Sequence, residues 1–136
     1  MALTSANIKD LADTLSFDAN GFVSAIVLDA STGEPLQFSF MNRDAFEKTM
    51  ETGKMHYWSR SRKKLWLKGE TSGHIQTVKE VRIDCDEDAL VFKVDQTVAA
   101  CHTGHYSCFH RKLGPDGWTD EGRKKVFDPE EVYGKK

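Results

Sequence analysis

Three carboxylates at alternate positions form the first candidate site in the sequence. Asp84, Asp86 and Asp88 stand in the run DCDED, in which four of five residues are acidic. Their charges repel one another unless a cation or basic neighbours compensate, and oxygen-rich clusters of this kind suit Mg²⁺ or Ca²⁺. Successive side chains on one face of an extended strand stand about 6.6 Å apart, so a single ion can bind all three only where the backbone turns. A metal site here therefore requires a turn at Asp86–Asp88. The alternative to a metal site is a solvated acidic turn between two strands.

Three cysteines form the second candidate site. Cys85, Cys101 and Cys108 are an odd number of thiols in a chain without a visible export signal, which favours metal ligands or free thiols over a disulfide framework. Alternation along an extended strand turns Cys85 away from the neighbouring carboxylates. A catalytic zinc site has three protein ligands and a fourth position for water. The three cysteines fit such an open site, a nearby histidine could close it, and three cysteines packed as buried hydrophobic residues are the alternative.

Two histidines beside the cysteines are candidate proton carriers. His102 adjoins Cys101, so its ring could hold or relay a proton from a metal-bound water. His110 lies two positions after Cys108 and would share that residue's side of a strand, which makes it the second candidate. Either of them, or His105, could instead be the fourth ligand of a closed zinc site.

A basic segment without acidic residues forms a candidate anion site. Residues 60–68 carry five basic side chains, and a stretch rich in Gly, Ser and Thr follows at residues 69–73. Guanidinium groups suit phosphate oxygens, and such loops present backbone N–H and hydroxyl donors to them. Trp58 and Trp66 offer apolar faces on which a purine could stack. The candidate anion-binding residues are Arg60, Arg62, Lys68, Thr71 and Ser72, and a solvated hairpin with ordinary surface lysines is the alternative.

Composition limits the class of protein. The chain of 136 residues has the length of one domain, 1–136, and its content of 39% hydrophobic and 29% charged residues excludes a disordered or collagen-like chain. A net charge of −2 argues against a general nucleic-acid binder, whose surface is usually strongly basic. No run approaches the roughly 18 apolar residues of a membrane helix, and the N-terminus has no secretory signal pattern. We therefore expect a cytoplasmic protein that binds neither nucleic acid nor membrane.

Short elements with hairpin signals must position these residues. Apolar spacing predicts helices over Asn7–Leu15 and Arg43–Thr52, the second between an Asn42 N-cap and Gly53. Runs rich in β-branched or alternating apolar residues predict strands at Gly21–Asp29, Leu36–Met41, Lys54–Ser61, Leu65–Lys68, Ile75–Asp84 and Ala89–Val94. The polar tail after Gly114 is expected to be a loop with one terminal turn. Because no long helices alternate with the strands, we predict an α+β fold with a mainly antiparallel sheet and few short helices.

Taken together, these segments resemble the phosphoribosyl-AMP cyclohydrolase family of histidine biosynthesis. The matching stretches, in chain order, are FMNRDAF, YWSRSRKKLWLKGETSGHIQ, DCDED and ACHTGHYSCFHR. The resemblance covers nearly all of residues 20–112, and the combination of all four stretches in this order is specific to that family.

The resemblance implies a zinc- and magnesium-dependent hydrolase that acts on a cyclic amidine C–N bond. Its nucleotide substrate would be 1-(5-phosphoribosyl)-AMP, in which water attacks C6 of the adenine ring and the N1–C6 bond breaks. The product would be the formimino-aminoimidazole carboxamide ribonucleotide. The family is an intertwined homodimer with a zinc site shared between subunits, Cys85 coming from one chain and the other two cysteines from its partner. By the family pattern, zinc is assigned to Cys85, Cys101 and Cys108, and Mg²⁺ to Asp84, Asp86 and Asp88.

Under this resemblance, the remaining candidates serve proton transfer and binding. Zinc lowers the pKa of its water from about 15.7 toward 7, and zinc deaminases use such a hydroxide to attack an adenine-type C6. We expect His102 to be the proton shuttle, with His110 as the alternative. A substrate with two phosphates would use the cations and hydroxyls of the anion site. Magnesium would either neutralise a phosphate or orient the substrate, and both roles stay open.

Two other functions compete with this interpretation. A non-catalytic zinc-binding interaction module would close the cysteine site with a histidine and place the basic segment on nucleic acid, but the DCDED cluster would repel that partner. A zinc-dependent nucleotide deaminase would carry a His-x-Glu and a Pro-Cys-x-x-Cys motif. The sequence contains neither motif.

Overall fold

The computed structural model describes residues 4–120 and 125–133, which form short helices and short strands. The helices are α1 (Ser5–Asp13), α2 (Arg43–Thr52) and α3 (Pro129–Tyr133). The strands are β1 (Val23–Asp29), β2 (Pro35–Met41), β3 (His56–Ser59), β4 (Lys64–Leu67), β5 (Gln76–Ile83), β6 (Ala89–Gln96), β7 (Lys112–Gly114) and β8 (Gly117–Thr119). None of the described helices has the length and apolar character that a membrane crossing requires.

The central sheet has four strands in the order β2-β1-β6-β5. The β1–β2 and β5–β6 pairs are antiparallel, whereas β1 and β6 run parallel. The α+β class is therefore confirmed, but the sheet is mixed, and the parallel pair at its centre was not predicted. Its cause is a long crossover, because the chain returns to β1 only after forming β2 to β5. Two antiparallel hairpins, β3–β4 and β7–β8, complete the strands of the described chain.

The hydrophobic core lies between one face of this sheet and the first two helices. Alternate residues of β1 and β6, including Val27 and Phe92, are fully buried there against Ile8 and Phe46 of the helices. Alternation directs the other residues of these strands to the opposite face. On that side Phe38 of the neighbouring strand β2, which pairs with Ile26 of β1, is 47% exposed. One face of the sheet is thus packed and the other is open.

Capping residues set the ends of the helices. The Asn42 side chain accepts a hydrogen bond from Ala45 N at 2.9 Å, and Gly53 ends α2 with φ +74°, which confirms the predicted bounds of this helix. The first helix begins earlier than predicted, because the Thr4 hydroxyl accepts from Asn7 N at 3.2 Å and provides the N-cap. It ends at Asp13 rather than at Leu15.

The tail after Gly114 is more ordered than predicted. The turn between Gly114 and Gly117 reverses the chain, so that β7 pairs with β8 in a hairpin. A short helix, α3, follows. The expected terminal turn is present as α3. The hairpin was not predicted, because Leu113 and Trp118 are both more than 60% exposed and the segment has no alternation that marks a buried face.

Candidate active site

A cleft of about 400 Å³ lies along the β3–β4 hairpin and the loop that follows it. This volume lies in the range of small-molecule sites in proteins. The lining residues include five that the sequence analysis selected for substrate binding or proton transfer: Arg62, Lys68, Thr71, Ser72 and His102. The face of Trp66 also borders the cleft. Cations, hydroxyl groups, an aromatic ring and an imidazole therefore share one cavity.

The shape of the loop at residues 69–73 depends on a glycine. Gly69 has φ +88°, and a Cβ added there would lie 2.7 Å from the backbone of His74. The Gly73 N–H donates to the Gly69 carbonyl at 2.7 Å, which closes the turn. Ser72 Oγ then accepts from His74 N at 3.1 Å. The tight turn holds the Thr71 and Ser72 hydroxyls at the edge of the cleft.

Lys68 lies deeper than the other cations of the cleft. It is 9% exposed, and its ammonium group donates to the carbonyl of Ala100. Burial lowers the pKa of Lys68, while the nearby thiols of Cys108 and Cys101 act in the opposite direction. The Lys68 ammonium therefore lies beside the cysteine pair, at the inner end of the cleft.

Cys101 and Cys108 come together in a curled segment after β6. The Gly104 N–H donates to the Cys101 carbonyl at 3.1 Å, and the Cys108 N–H donates to Leu36 at 2.7 Å. Although Cys108 is exposed as a residue, partial burial of its thiol and the adjacent Cys101 raise its pKa to about 12, against the opposing effect of Lys68. Two adjoining sulfur donors are ligands that a soft divalent cation prefers, so this pair fits zinc.

The acidic run forms the turn that a shared metal ion requires. Asp84 Oδ1 accepts from the N–H groups of Asp88 at 3.1 Å and Ala89 at 3.2 Å, and Glu87 reverses the chain with φ +65°. Carboxylate oxygens of Asp84, Asp86 and Asp88 all lie within 4.8 Å of one another. The carboxyls of Asp86 and Asp84 raise the pKa of Asp88 to about 6. The predicted turn is confirmed, and this group of hard oxygen donors fits Mg²⁺.

Cys85 lies in this acidic turn, far from the other two cysteines. The turn precedes β6 and the cysteine pair follows it, so the eight residues of that strand separate them. At roughly 3.3 Å per residue the strand is about 26 Å long. Within the described residues, the three thiols accordingly form no common cluster. Because β5 ends at Ile83, Cys85 is not part of a strand, and strand alternation does not set the direction of its side chain.

Sequence reasoning missed one cluster, formed by His105, His110 and Asp120. The two imidazoles stack with centroids 3.7 Å apart and an interplanar angle of 3°. Asp120 Oδ1 lies 2.5 Å from His110 Nδ1 and 4.0 Å from His105 Nε2. The hydrogen bond from His110 lowers the pKa of Asp120. The signal that could have located Asp120 is the Pro-Asp-Gly turn at residues 115–117, which predicts the hairpin that carries it.

Among the residues assigned to substrate binding or proton transfer, Arg60 and His110 do not line the cleft. His110 belongs to the cluster just described. The guanidinium of Arg60 stacks 4.1 Å above the Phe40 ring, and Phe40 lies on the open face of the sheet. The cleft thus gathers the other substrate-binding candidates with His102, and the roles assigned to all these residues stay predictions.

Comparisons with known proteins match this chain over most of its length. The sequence profile of the phosphoribosyl-AMP cyclohydrolase family matches residues 37–110. A phosphoribosyl-AMP cyclohydrolase of Methanococcoides burtonii is 59% identical over 121 residues, covering 89% of this chain and 97% of the relative. One from Pelotomaculum thermopropionicum is 56% identical, with coverage of 91% and 96%. One from Salinibacter ruber is 52% identical, with coverage of 90% and 96%. The chain therefore belongs to the phosphoribosyl-AMP cyclohydrolase family of enzymes.

Proposed function

We propose that this enzyme hydrolyses 1-(5-phosphoribosyl)-AMP in histidine biosynthesis and opens the adenine ring between N1 and C6. The observation that carries the proposal is the cleft that places Arg62, Lys68, Thr71 and Ser72 around one cavity with His102. A substrate with two phosphates needs several cations and neutral donors, and a purine needs a flat apolar face. This cleft supplies both kinds of contact, in a chain that belongs to the family.

The phosphates would bind at the mouth of the cleft and the base against its aromatic wall. The Arg62 guanidinium is exposed at the mouth, where its fork of N–H groups is free to meet phosphate oxygens in pairs. Trp66 packs with its ring centroid 5.2 Å from that of Tyr57, which fixes its orientation. The adenine ring would stack on Trp66 and bring C6 toward His102.

Zinc would be held by Cys101 and Cys108, with Cys85 of the partner subunit as the third ligand. When bound, zinc at such a three-thiolate site acidifies a water molecule, which supplies a nucleophile at neutral pH. His102 is exposed next to Cys101 and lines the cleft. It would take the proton of the attacking water and deliver it to N1 as the N1–C6 bond breaks, leaving the carboxamide at C6. His110 is the alternative proton carrier.

Magnesium would bind to Asp84, Asp86 and Asp88 of the acidic turn. The turn adjoins Cys85 in the chain, so a partner subunit that provides Cys85 would also bring this ion to the cleft. There the ion would neutralise a phosphate of the substrate or orient it. The Lys68 ammonium, buried beside the cysteine pair, would offset the negative charge that three thiolates bring to the site.

In a homodimer packed through the open face of the sheet, the acidic turn before β6 of one subunit would lie beside the cysteine pair after β6 of its partner. Ile26 pairs with Phe38 on one side and with Val91 on the other, which gives an apolar row across three strands. Phe40 extends this row, with its ring centroid 5.3 Å from that of Phe38. Exposed patches of this kind mark interaction surfaces. A two-fold axis that lies between the two faces and runs perpendicular to β6 would place each end of one subunit's strand against the opposite end of its partner's.

The experiment that tests the proposal is turnover of 1-(5-phosphoribosyl)-AMP, followed by the absorbance change on ring opening. We expect turnover that a chelator abolishes and that zinc with magnesium restores. Cys101→Ser should lose zinc binding and turnover together. Full activity of the chelated protein or of Cys101→Ser would contradict the metal mechanism. A zinc- and magnesium-loaded dimer without turnover would contradict the enzymatic proposal and favour the zinc-binding interaction module. The expected cytoplasmic location stays a prediction.

A further inference from the structure

We propose that Thr103, His105 and Asp120 are positioning residues that orient the Cys101 thiolate for metal binding. The inference rests on the proposed zinc site, since Cys101 is one of its ligands. It concerns residues outside the cleft, which neither touch the substrate nor coordinate the ion.

A continuous chain of contacts leads from the Cys101 sulfur into the protein. Cys101 Sγ lies 2.9 Å from Thr103 Oγ1, and Thr103 Oγ1 lies 3.1 Å from His105 Nδ1. When Cys101 is a thiolate, its sulfur accepts and the Thr103 hydroxyl must donate to it. The hydroxyl oxygen is then left to accept from the His105 Nδ1–H. Ionisation of Cys101 thus fixes the direction of both hydrogen bonds.

The far end of the chain holds the His105 ring in place. His105 is 9% exposed, and its ring stacks on that of His110 at 3.7 Å. Asp120 binds His110 Nδ1 and lies 4.0 Å from His105 Nε2. With Nδ1 directed at Thr103, the nitrogen on the opposite side of the His105 ring faces this carboxylate. Asp120 therefore holds the His110 ring directly, and it holds the His105 ring through the stack.

The two histidines are better arranged to support Cys101 than to bind a metal ion themselves. A ring nitrogen directs its lone pair in the plane of the ring. Because the His105 and His110 planes are nearly parallel, these lone pairs do not converge on one ion. An ion midway between planes 3.7 Å apart would lie far out of both. The two histidines and Asp120 lie within 4.8 Å of one another, but this closeness does not by itself make a metal site.

Hydrogen bonds of this type affect metal affinity through the ligand. A donor to a thiolate fixes the side-chain rotamer and withdraws charge from the sulfur, and loss of such partners typically weakens metal binding by about 10- to 100-fold. Thr103 suits the role because its β-branch restricts χ1, so the hydroxyl is held toward the sulfur before the ion arrives.

The test measures zinc affinity by competition with a chromophoric chelator, together with the absorption spectrum of the Co²⁺-substituted dimer. Thr103→Val keeps the shape and removes the hydroxyl, whereas Thr103→Ser keeps the donor. We expect Thr103→Val to weaken zinc binding by about 10-fold and to shift the thiolate-to-cobalt charge-transfer band. Thr103→Ser keeps the donor but loses the β-branch, so it should leave the cobalt band unshifted and bind zinc more tightly than Thr103→Val and no more tightly than the wild-type protein. Thr97→Val, the same change at an exposed position, is the matched control and should change neither.

The possible results separate this inference from the proposed zinc site. A folded Thr103→Val dimer with wild-type zinc affinity and an unshifted cobalt band overturns the positioning role. If Cys101→Ser also binds zinc normally, the zinc site itself is wrong. Should Thr103→Val fail to fold, Asp120→Ala decides the question by the same two measurements, because Asp120 is only half-buried. Weakened zinc binding by Asp120→Ala supports the inference, and unchanged binding overturns it.

Discussion

The separation of Cys85 from the cysteine pair predicts that two inactive variants restore activity when their subunits mix. Two sulfurs that bind one zinc ion lie within about 4 Å of each other, since each Zn–S bond is about 2.3 Å. The eight residues of β6 separate Cys85 from Cys101, and they span about 26 Å. One subunit therefore cannot complete the proposed zinc site, and Cys85→Ser and Cys101→Ser should each disable both sites of the proposed homodimer.

The expected recovery follows from the symmetry of the dimer. Random reassociation of equal amounts gives half mixed dimers. In each mixed dimer one site carries both substitutions, while the other site combines an intact acidic turn with an intact cysteine pair. The mixture should therefore regain about one quarter of the wild-type activity. A site contained within one subunit would regain none.

The assay unfolds the two variants together, refolds them with zinc and magnesium, and measures turnover against each variant treated alone. Asp86→Asn lies in the same turn as Cys85→Ser, so this pair leaves no complete site in a mixed dimer and should stay inactive. The same holds for Cys101→Ser with Cys108→Ser. Asp86→Asn with Cys101→Ser should recover like the first pair.

Two results would refute the reasoning. One is a Cys85→Ser and Cys101→Ser mixture that remains inactive although wild-type protein regains full activity after the same treatment. The other is recovery by a pair of substitutions at the same end of β6. Size-exclusion chromatography of each mixture establishes that dimers have re-formed.

Three further predictions concern stability, pH and substrate binding. Tyr57→Phe removes the hydroxyl that donates to buried Gln76. The substitution should cost about 1–3 kcal/mol, or about 4–12 °C in Tm by calorimetry, and an unchanged Tm would contradict this. The raised pKa of Asp88 means that the folded metal-free protein takes up a proton near pH 6, whereas the unfolded chain takes it up only near pH 4. The stability that this group contributes at low pH is therefore lost as the pH rises from about 4 through 6. Asp88→Asn should therefore raise the Tm of metal-free protein at neutral pH, with a smaller effect toward pH 4, and an equal effect at both would refute the assignment. Arg62→Ala should raise KM more than it lowers kcat in steady-state kinetics, because Arg62 lines the cleft, and the reverse pattern would place Arg62 in the chemical step.

Local signals predicted most of the helices and strands, and the sequence motifs pointed to most of the predicted binding residues that line the cleft, but pairing over long distances was out of reach. The Asn42 cap and Gly53 are local determinants, so the bounds of α2 were correct. Alternation in β1 and β6 indicates which residues are buried but says nothing about the partner strand, which is why the parallel pair was missed. Asp120 was missed for a related reason, since its contact with His110 depends on a hairpin of two exposed three-residue strands.

The parallel pairing of β1 with β6 has a consequence for how the protein folds. Roughly sixty residues of chain lie between these strands, whereas the β1–β2 and β5–β6 hairpins are local. Hairpins form in about 1–10 μs, and contacts between distant segments form more slowly because a long loop must close first. We therefore expect the two hairpins to form early and their docking to limit the folding rate. During synthesis, β1 must wait for the second half of the chain before the sheet can close.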